Sequence, residues 1–151
     1  MPNPRVLFLS TSNSVRSQMA EAFLRKYSGD SFEVYSAGLE PEAIHPLTLQ
    51  VMEEKGVDMD GHYAKSLDQY MMKVHFGYMI TLCERAEQKC PIFPGMGQRL
   101  YWPFEYPDTP NDPPDEKLEK FRQVRDRIEN RVLAWLNEQE ISIDGESLEK
   151  V

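Results

Sequence analysis

Four apolar residues, Val6-Leu7-Phe8-Leu9, run straight into the polar stretch Ser10-Thr11-Ser12-Asn13-Ser14-Val15-Arg16-Ser17. A helical pattern follows at once, with Met19, Ala20, Phe23 and Leu24 recurring at three-and-four spacing. An unbroken apolar run of this kind reads as a strand buried on both faces. The chain therefore passes from strand to tight loop to helix start with no spare residues. Such a loop is shaped to hold a tetrahedral oxyanion: successive amides turn inward, the helix end adds partial positive charge, and Arg16 can fork two donors onto two oxygens. A nucleophile would stand at the first loop position, the end of the strand. Here it is the alcohol of Ser10.

The 151 residues predict one domain, 1–151, long enough to bury a core without staples. Hydrophobic residues at 40% and charged residues at 28% fit a soluble globular protein. A net charge of −8 argues against nucleic acid and anionic membranes as partners. An acidic protein that binds an anion needs a local positive site, and Arg16 supplies one. The chain opens with no basic-then-apolar leader, and no apolar run approaches the ~18 residues of a membrane helix, so the expected compartment is the cytoplasm. In that reducing setting Cys83 and Cys90 are expected to be a redox pair or two inert thiols rather than a structural disulfide.

The pattern predicts strands over 5–9, 32–37, 76–82 and 99–102, and helices over 16–27, 46–55 and 116–136. The third strand is nearly all apolar and so expected to be central. Phe121, Val124, Ile128, Val132 and Trp135 form the buried stripe of the last helix. Five prolines between residues 101 and 115 exclude a long regular element and predict a surface loop. The polar tail from about residue 137 is expected to fray, and Met71-Met72 to fill core space. Alternating strands and helices give an α/β three-layer sandwich, with a parallel sheet of about four strands and helices on both faces. Ligands in such sheets sit beyond the carboxyl ends of the strands. The Ser10 loop, the Cys83 segment and the proline-rich loop all follow strands, so they are expected to converge.

The run from Val6 through Ser10-Thr-Ser-Asn-Ser-Val-Arg16-Ser17-Gln18-Met19-Ala20-Glu21 resembles the start of the low-molecular-weight protein tyrosine phosphatases. It is closer still to their thioredoxin-coupled arsenate reductase relatives. The likeness continues in Tyr35-Ser36-Ala37-Gly38-Leu39 and in Thr81-Leu82-Cys83 through Cys90-Pro91, and more weakly in Trp102-Pro103-Phe104-Glu105. It covers roughly residues 5–136. It implies an oxyanion cradle of Thr11, Ser12, Asn13, Ser14, Val15, Arg16 and Ser17, with arsenate, phosphate or sulfate as ligand. It implies that Cys83 and Cys90 relay an oxidation to thioredoxin. It also implies a cation, potassium, beside the loop at Asn13, Glu21 and Ser36, although Glu21 reads equally well as a solvated or capping carboxylate.

Two positions depart from the family. The loop's nucleophilic cysteine is Ser10, and the acid expected directly before a proline is Tyr106, flanked by Glu105 and Asp108, which are candidate substitutes. A cysteine in such a loop has its pKa drawn from ~8.5 into the ~3.5–7.5 range, whereas a hydroxyl needs a neighbouring base before it can attack. Nothing in the sequence sets His45, His62 or His75 beside Ser10. The expectation is a monomeric arsenate-reductase-like protein that binds oxyanions and is chemically disabled at Ser10. A tyrosine phosphatase and a non-catalytic oxyanion sensor are the alternatives.

Overall fold

The structure, a computed structural model, describes residues 3–90 and 97–139. Strands β1 (Arg5–Ser10), β2 (Glu33–Gly38), β3 (Tyr78–Thr81) and β4 (Gln98–Tyr101) form one sheet in the order β2-β1-β3-β4. Every neighbouring pair is parallel. Parallel neighbours need crossovers. Helix α1 (Arg16–Ser28) lies between β1 and β2, α2 (Pro46–Glu54) precedes β3, α3 (Glu84–Lys89) lies between β3 and β4, and α4 (Pro114–Glu138) closes the fold.

The interior position of β1 explains its unbroken apolar run. Val6 and Phe8 enter a core shared with α1, α2 and α4. Leu7 and Leu9 enter a second core on the opposite face, with Leu67, Phe76, Met79 and Ala86. All four β1 side chains are fully buried, and each such burial contributes about 1.5–3 kcal/mol. The result is a three-layer α/β sandwich of uneven thickness. Three helices cover one face, while α3 and a short turn at Leu67–Gln69 cover the other.

The differences from expectation have physical causes. Phe76 and Leu82 are buried, yet only Tyr78–Thr81 pairs as strand, so the apolar run marks burial rather than ladder length. The charged stretch between the cysteines is a six-residue helix, α3. Met71 packs against the second core as filler. Met72 does not: its backbone has φ 64° and its side chain is 73% exposed. The last helix runs to Glu138, and the remaining tail, like Pro91, lies outside the described residues. No helix among the described residues is long and apolar enough to cross a membrane.

From β1 the chain first adds β2 on one side and later β3 on the other. That reversal opens a crevice beyond the carboxyl ends of β1 and β3. The loops after β1, β3 and β4 all reach it.

Candidate oxyanion site

The loop after β1 is tied down from outside by its carbonyls. Those of Ser10, Thr11, Ser12 and Ser14 accept from the amides of Leu39, Glu40, Glu42 and His45 at 2.8–3.2 Å. The Asn13 carbonyl accepts from Gln18 Nε2 at 3.1 Å. In a planar trans peptide the N–H points opposite to the C=O, so the amides of Thr11 to Val15 face the loop's interior. Asn13 takes the left-handed conformation expected of a loop asparagine, with φ 53°. Gly38, at the end of β2, lies directly beneath. A Cβ there would come within 2.8 Å of the Asn13 nitrogen, so glycine is what lets the loop descend this far. Helix α1 begins at Arg16 with no side-chain cap on its first amides. A bound anion would complete them.

At the loop floor one backbone donor orients the Asn13 amide. The Lys65 amide donates to Asn13 Oδ1 at 2.8 Å, which fixes the asparagine with Nδ2 as its donor. Asn13 Nδ2 then donates to Ser17 Oγ at 2.7 Å and to Ser36 Oγ at 2.9 Å. Ser17 Oγ and Ser10 Oγ lie 2.6 Å apart, in a hydrogen bond that either hydroxyl can donate. When Ser17 donates it, the Ser10 proton is left for a ligand. In that arrangement Ser10 would add a donor to the loop amides. To attack, it would have to lose that proton to a base, but His45 Nε2 is engaged with Asp108 and His62 Nδ1 with Gln18 Oε1.

Arg16 is 93% buried by its 7% exposure, with Nη1 donating to the Phe104 carbonyl at 3.0 Å and Nε meeting no partner among the described residues. Burial lowers its pKa, while Cys83 and Tyr106 act to raise it. The guanidinium remains charged in any case. The Arg16 guanidinium lies 5.0 Å from the centroid of the Tyr106 ring. Burial first, and then Asp108 and Glu42, push its phenol up, so it keeps its proton at neutral pH. Of the three residues around the expected acid position, Tyr106 is the one at the loop. Glu105 is exposed and lies toward Lys120. Asp108 is paired with Lys117 at 2.8 Å and His45 at 3.0 Å. Those hydrogen bonds, Lys117's first, hold its carboxyl below the usual carboxylate range, so it has no proton to donate near neutrality.

Cys83 Sγ stands 3.4 Å from Thr11 Oγ1, at the edge of the same loop. Both cysteines are buried, and burial pushes the Cys90 thiol up. The five steps along α3 already span ~7.5 Å at ~1.5 Å each, and the two cysteines lie outside its two ends in extended backbone, beyond the ~7 Å Cα limit for a disulfide. To join them α3 would have to unwind, and Arg99 holds it shut. Arg99 Nε bonds Glu87 Oε1 at 2.8 Å, Nη2 bonds the Glu87 carbonyl, and Nη1 reaches the Cys90 carbonyl at 3.4 Å.

Asn13, Ser36 and Glu21 do come together, but as folded they do not fit a bare cation. Ser36 Oγ donates to Glu21 Oε1. Glu21 Oε2 pairs with Arg25 at 2.9 Å, and Lys65 Nζ lies 3.5 Å from Oε1. Asn13 Oδ1 is already filled by the Lys65 amide and Gln18. A potassium ion within ~4 Å of the Lys65 ammonium meets about 4 kcal/mol of repulsion at an effective dielectric of ~20.

Sequence reasoning missed Lys65 and Gln18 as participants, and the contact of Tyr106 with Arg16. Gln18 had a local signal, since it follows the loop directly. Tyr106 was marked in the sequence only as the occupant of the acid position, not as a partner of Arg16; Lys65 reaches the site from a distant segment, and no local pattern marks it.

Comparison with known proteins agrees with this geometry. The family model of the low molecular weight phosphotyrosine protein phosphatases matches residues 5–147. The arsenate reductase of Halalkalibacterium halodurans is 38% identical over 127 residues, 84% of this chain and 91% of the relative. That of Bacillus subtilis is 37% identical over 132 residues, 87% and 94% respectively. A solved arsenate reductase in its phosphate-binding state superposes with a TM-score of 0.70 at 30% identity, over 92% of this chain and 99% of that one. A thioredoxin-dependent arsenate reductase of Corynebacterium glutamicum gives 0.71 at 30% identity, over 92% of this chain and only 63% of its own. Loop, sheet order and distal cysteines thus carry one assignment: the chain belongs to the low-molecular-weight phosphotyrosine protein phosphatase family and is similar to its arsenate reductases.

Proposed function

We propose that this chain binds arsenate, phosphate or sulfate in the Ser10–Arg16 loop, and that Ser10 serves there as a donor rather than as a nucleophile. The observation that carries the reading is Arg16. A guanidinium buried to this degree with an unpartnered Nε leaves a desolvation cost of about 1–3 kcal/mol that an oxyanion's oxygen would offset. The inward amides and the uncapped start of α1 support the same ligand.

The branch of the family is argued from Cys83 and Cys90. A phosphatase has no use for a thiol beside Thr11 followed by a second across a short helix, and the relatives are arsenate reductases. With a thiolate at position 10, that sulfur would attack arsenic and expel one oxygen as water, while Arg16 and the loop amides hold the others. Cys83 would then attack that sulfur, forming a disulfide and releasing arsenite, and Cys90 would displace position 10 to close a Cys83–Cys90 disulfide. Thioredoxin, the reductant implied by the thioredoxin-dependent relative, would reduce that disulfide and become oxidised itself. As the chain stands, the first bond does not form and turnover is absent. The reading also takes the chain to act as a monomer in the cytoplasm.

The test is Ser10→Cys. Arsenate reduction that depends on thioredoxin and on Cys83 supports the reductase branch. Hydrolysis of an aryl phosphate without reductant supports the phosphatase alternative. Anion binding with neither activity points to a sensor. Arsenate reduction by the unmodified chain at the rate of the Ser10→Cys variant would refute the donor role of Ser10.

A further inference from the structure

Among the described residues, Lys65 is the lysine whose ammonium lies in the polar interior behind the loop. Its side chain is 5% exposed. Nζ donates to the Tyr63 carbonyl at 2.8 Å, sits 4.8 Å over the Tyr63 ring and lies 3.5 Å from Glu21 Oε1. Its backbone belongs to the same cluster: the amide fixes Asn13 Oδ1, and the carbonyl accepts from the Gly38 amide at 2.8 Å. A buried lysine survives as an ion only where a carboxylate faces it, and Glu21, 4% exposed at its side chain, is that carboxylate. Glu21 in turn receives Ser36, Ser36 receives Asn13, and Asn13 holds Ser17 against Ser10.

We propose that Lys65 is a resident cation: a positioning residue whose ammonium occupies the place beside Glu21 that a monovalent metal ion would otherwise take. It holds the hydroxyl chain from Ser36 to Ser10 in register for the oxyanion. Oxyanion binding by this chain is therefore independent of potassium. The inference rests on the loop's reading as an oxyanion site, but it has a readout of its own. Removing the ammonium while keeping an uncharged side chain leaves Glu21 Oε1 and Ser36 Oγ facing the vacated place, with Arg25 on Glu21 Oε2 as the remaining cation, and so creates an oxygen-lined site for potassium.

The experiment compares the unmodified chain with Lys65→Met and Lys65→Gln at constant ionic strength, in potassium chloride or tetramethylammonium chloride. Sulfate affinity is read by calorimetry and the melting temperature without sulfate. The unmodified chain is expected to bind sulfate with affinities within about twofold in the two salts, since ionic strength is matched. In tetramethylammonium each variant is expected to lose about tenfold, the scale of one charge-assisted hydrogen bond. Potassium is expected to restore that affinity and to raise the melting temperature of the variants alone. A variant that folds only in potassium shows the same rescue. The proposal is overturned if potassium raises the affinity or melting temperature of the unmodified chain, if the variants match it in tetramethylammonium, or if potassium rescues neither. Should the unmodified chain bind no sulfate in either salt, the oxyanion reading fails. The melting temperatures then still decide the role of Lys65.

Discussion

Replacing Arg16 with methionine separates what the guanidinium does for the fold from what it does for the ligand. In the empty chain the substitution removes a buried cation with an unpartnered Nε, a relief of about 1–3 kcal/mol. It also forfeits the charge-assisted bond to the Phe104 carbonyl, about 1.5–3 kcal/mol, and the stacking against Tyr106, about 0.5–1 kcal/mol. The losses outweigh the relief only slightly, so Arg16→Met is expected to leave the empty chain within about 1 kcal/mol of its original stability. With ligand the balance changes. Two charge-assisted bonds at about 1.5–3 kcal/mol each are lost, which is an affinity loss of roughly 10²–10⁴-fold. Urea denaturation with and without sulfate reads both quantities. At about 100 times the dissociation constant, sulfate should stabilise the unmodified chain by about 2.7 kcal/mol and the variant by almost nothing. A variant that loses several kcal/mol without sulfate but keeps the full sulfate increment would refute this reasoning, because Arg16 would then be a structural residue.

Three further outcomes are expected. Gly38→Ala puts a methyl 2.8 Å from loop backbone, so it should cost about 1–3 kcal/mol and weaken sulfate binding by displacing the loop; an unchanged urea midpoint and affinity would contradict the close approach. The Asp108 carboxyl is lowered by Lys117 and His45, so its stabilising contribution is fully present above the ordinary carboxylate value and fades as pH falls through the lowered folded value. Asp108→Asn should therefore flatten the acid limb of the stability profile, and an unaltered limb would count against the pairing. Arg99→Gln unlatches α3 at Glu87 and Cys90, and should speed diamide-induced joining of Cys83 to Cys90, followed by thiol titration. Equal rates would show that Arg99 does not hold the helix.

What was legible in the sequence was what is local. Val6 to Leu9, the serine-rich loop and the start of α1 are contiguous, so one stretch of chain carried strand, cradle and Arg16 together. Phe121 to Trp135 likewise announced its face by spacing, and the proline cluster announced a loop. The sequence did not reveal that this loop brings Tyr106 over Arg16, because the contact depends on how the chain returns from β4. Lys65 was invisible for the same reason. Its ammonium meets Glu21 only after β2 and the segment behind it pair at Gly38 and Ser66. Met72 misled because a methionine beside a core methionine carries no sign that the backbone turns left-handed there. The cysteine spacing was plain, but the helix between the thiols and its Arg99 clasp are tertiary facts.

Calorimetric titration of sulfate into the unmodified chain tests the oxyanion cradle most directly. One ion should bind per chain at the loop of inward amides, and the signal should vanish in Arg16→Met. No heat at millimolar sulfate, or binding that survives loss of the guanidinium, would contradict it.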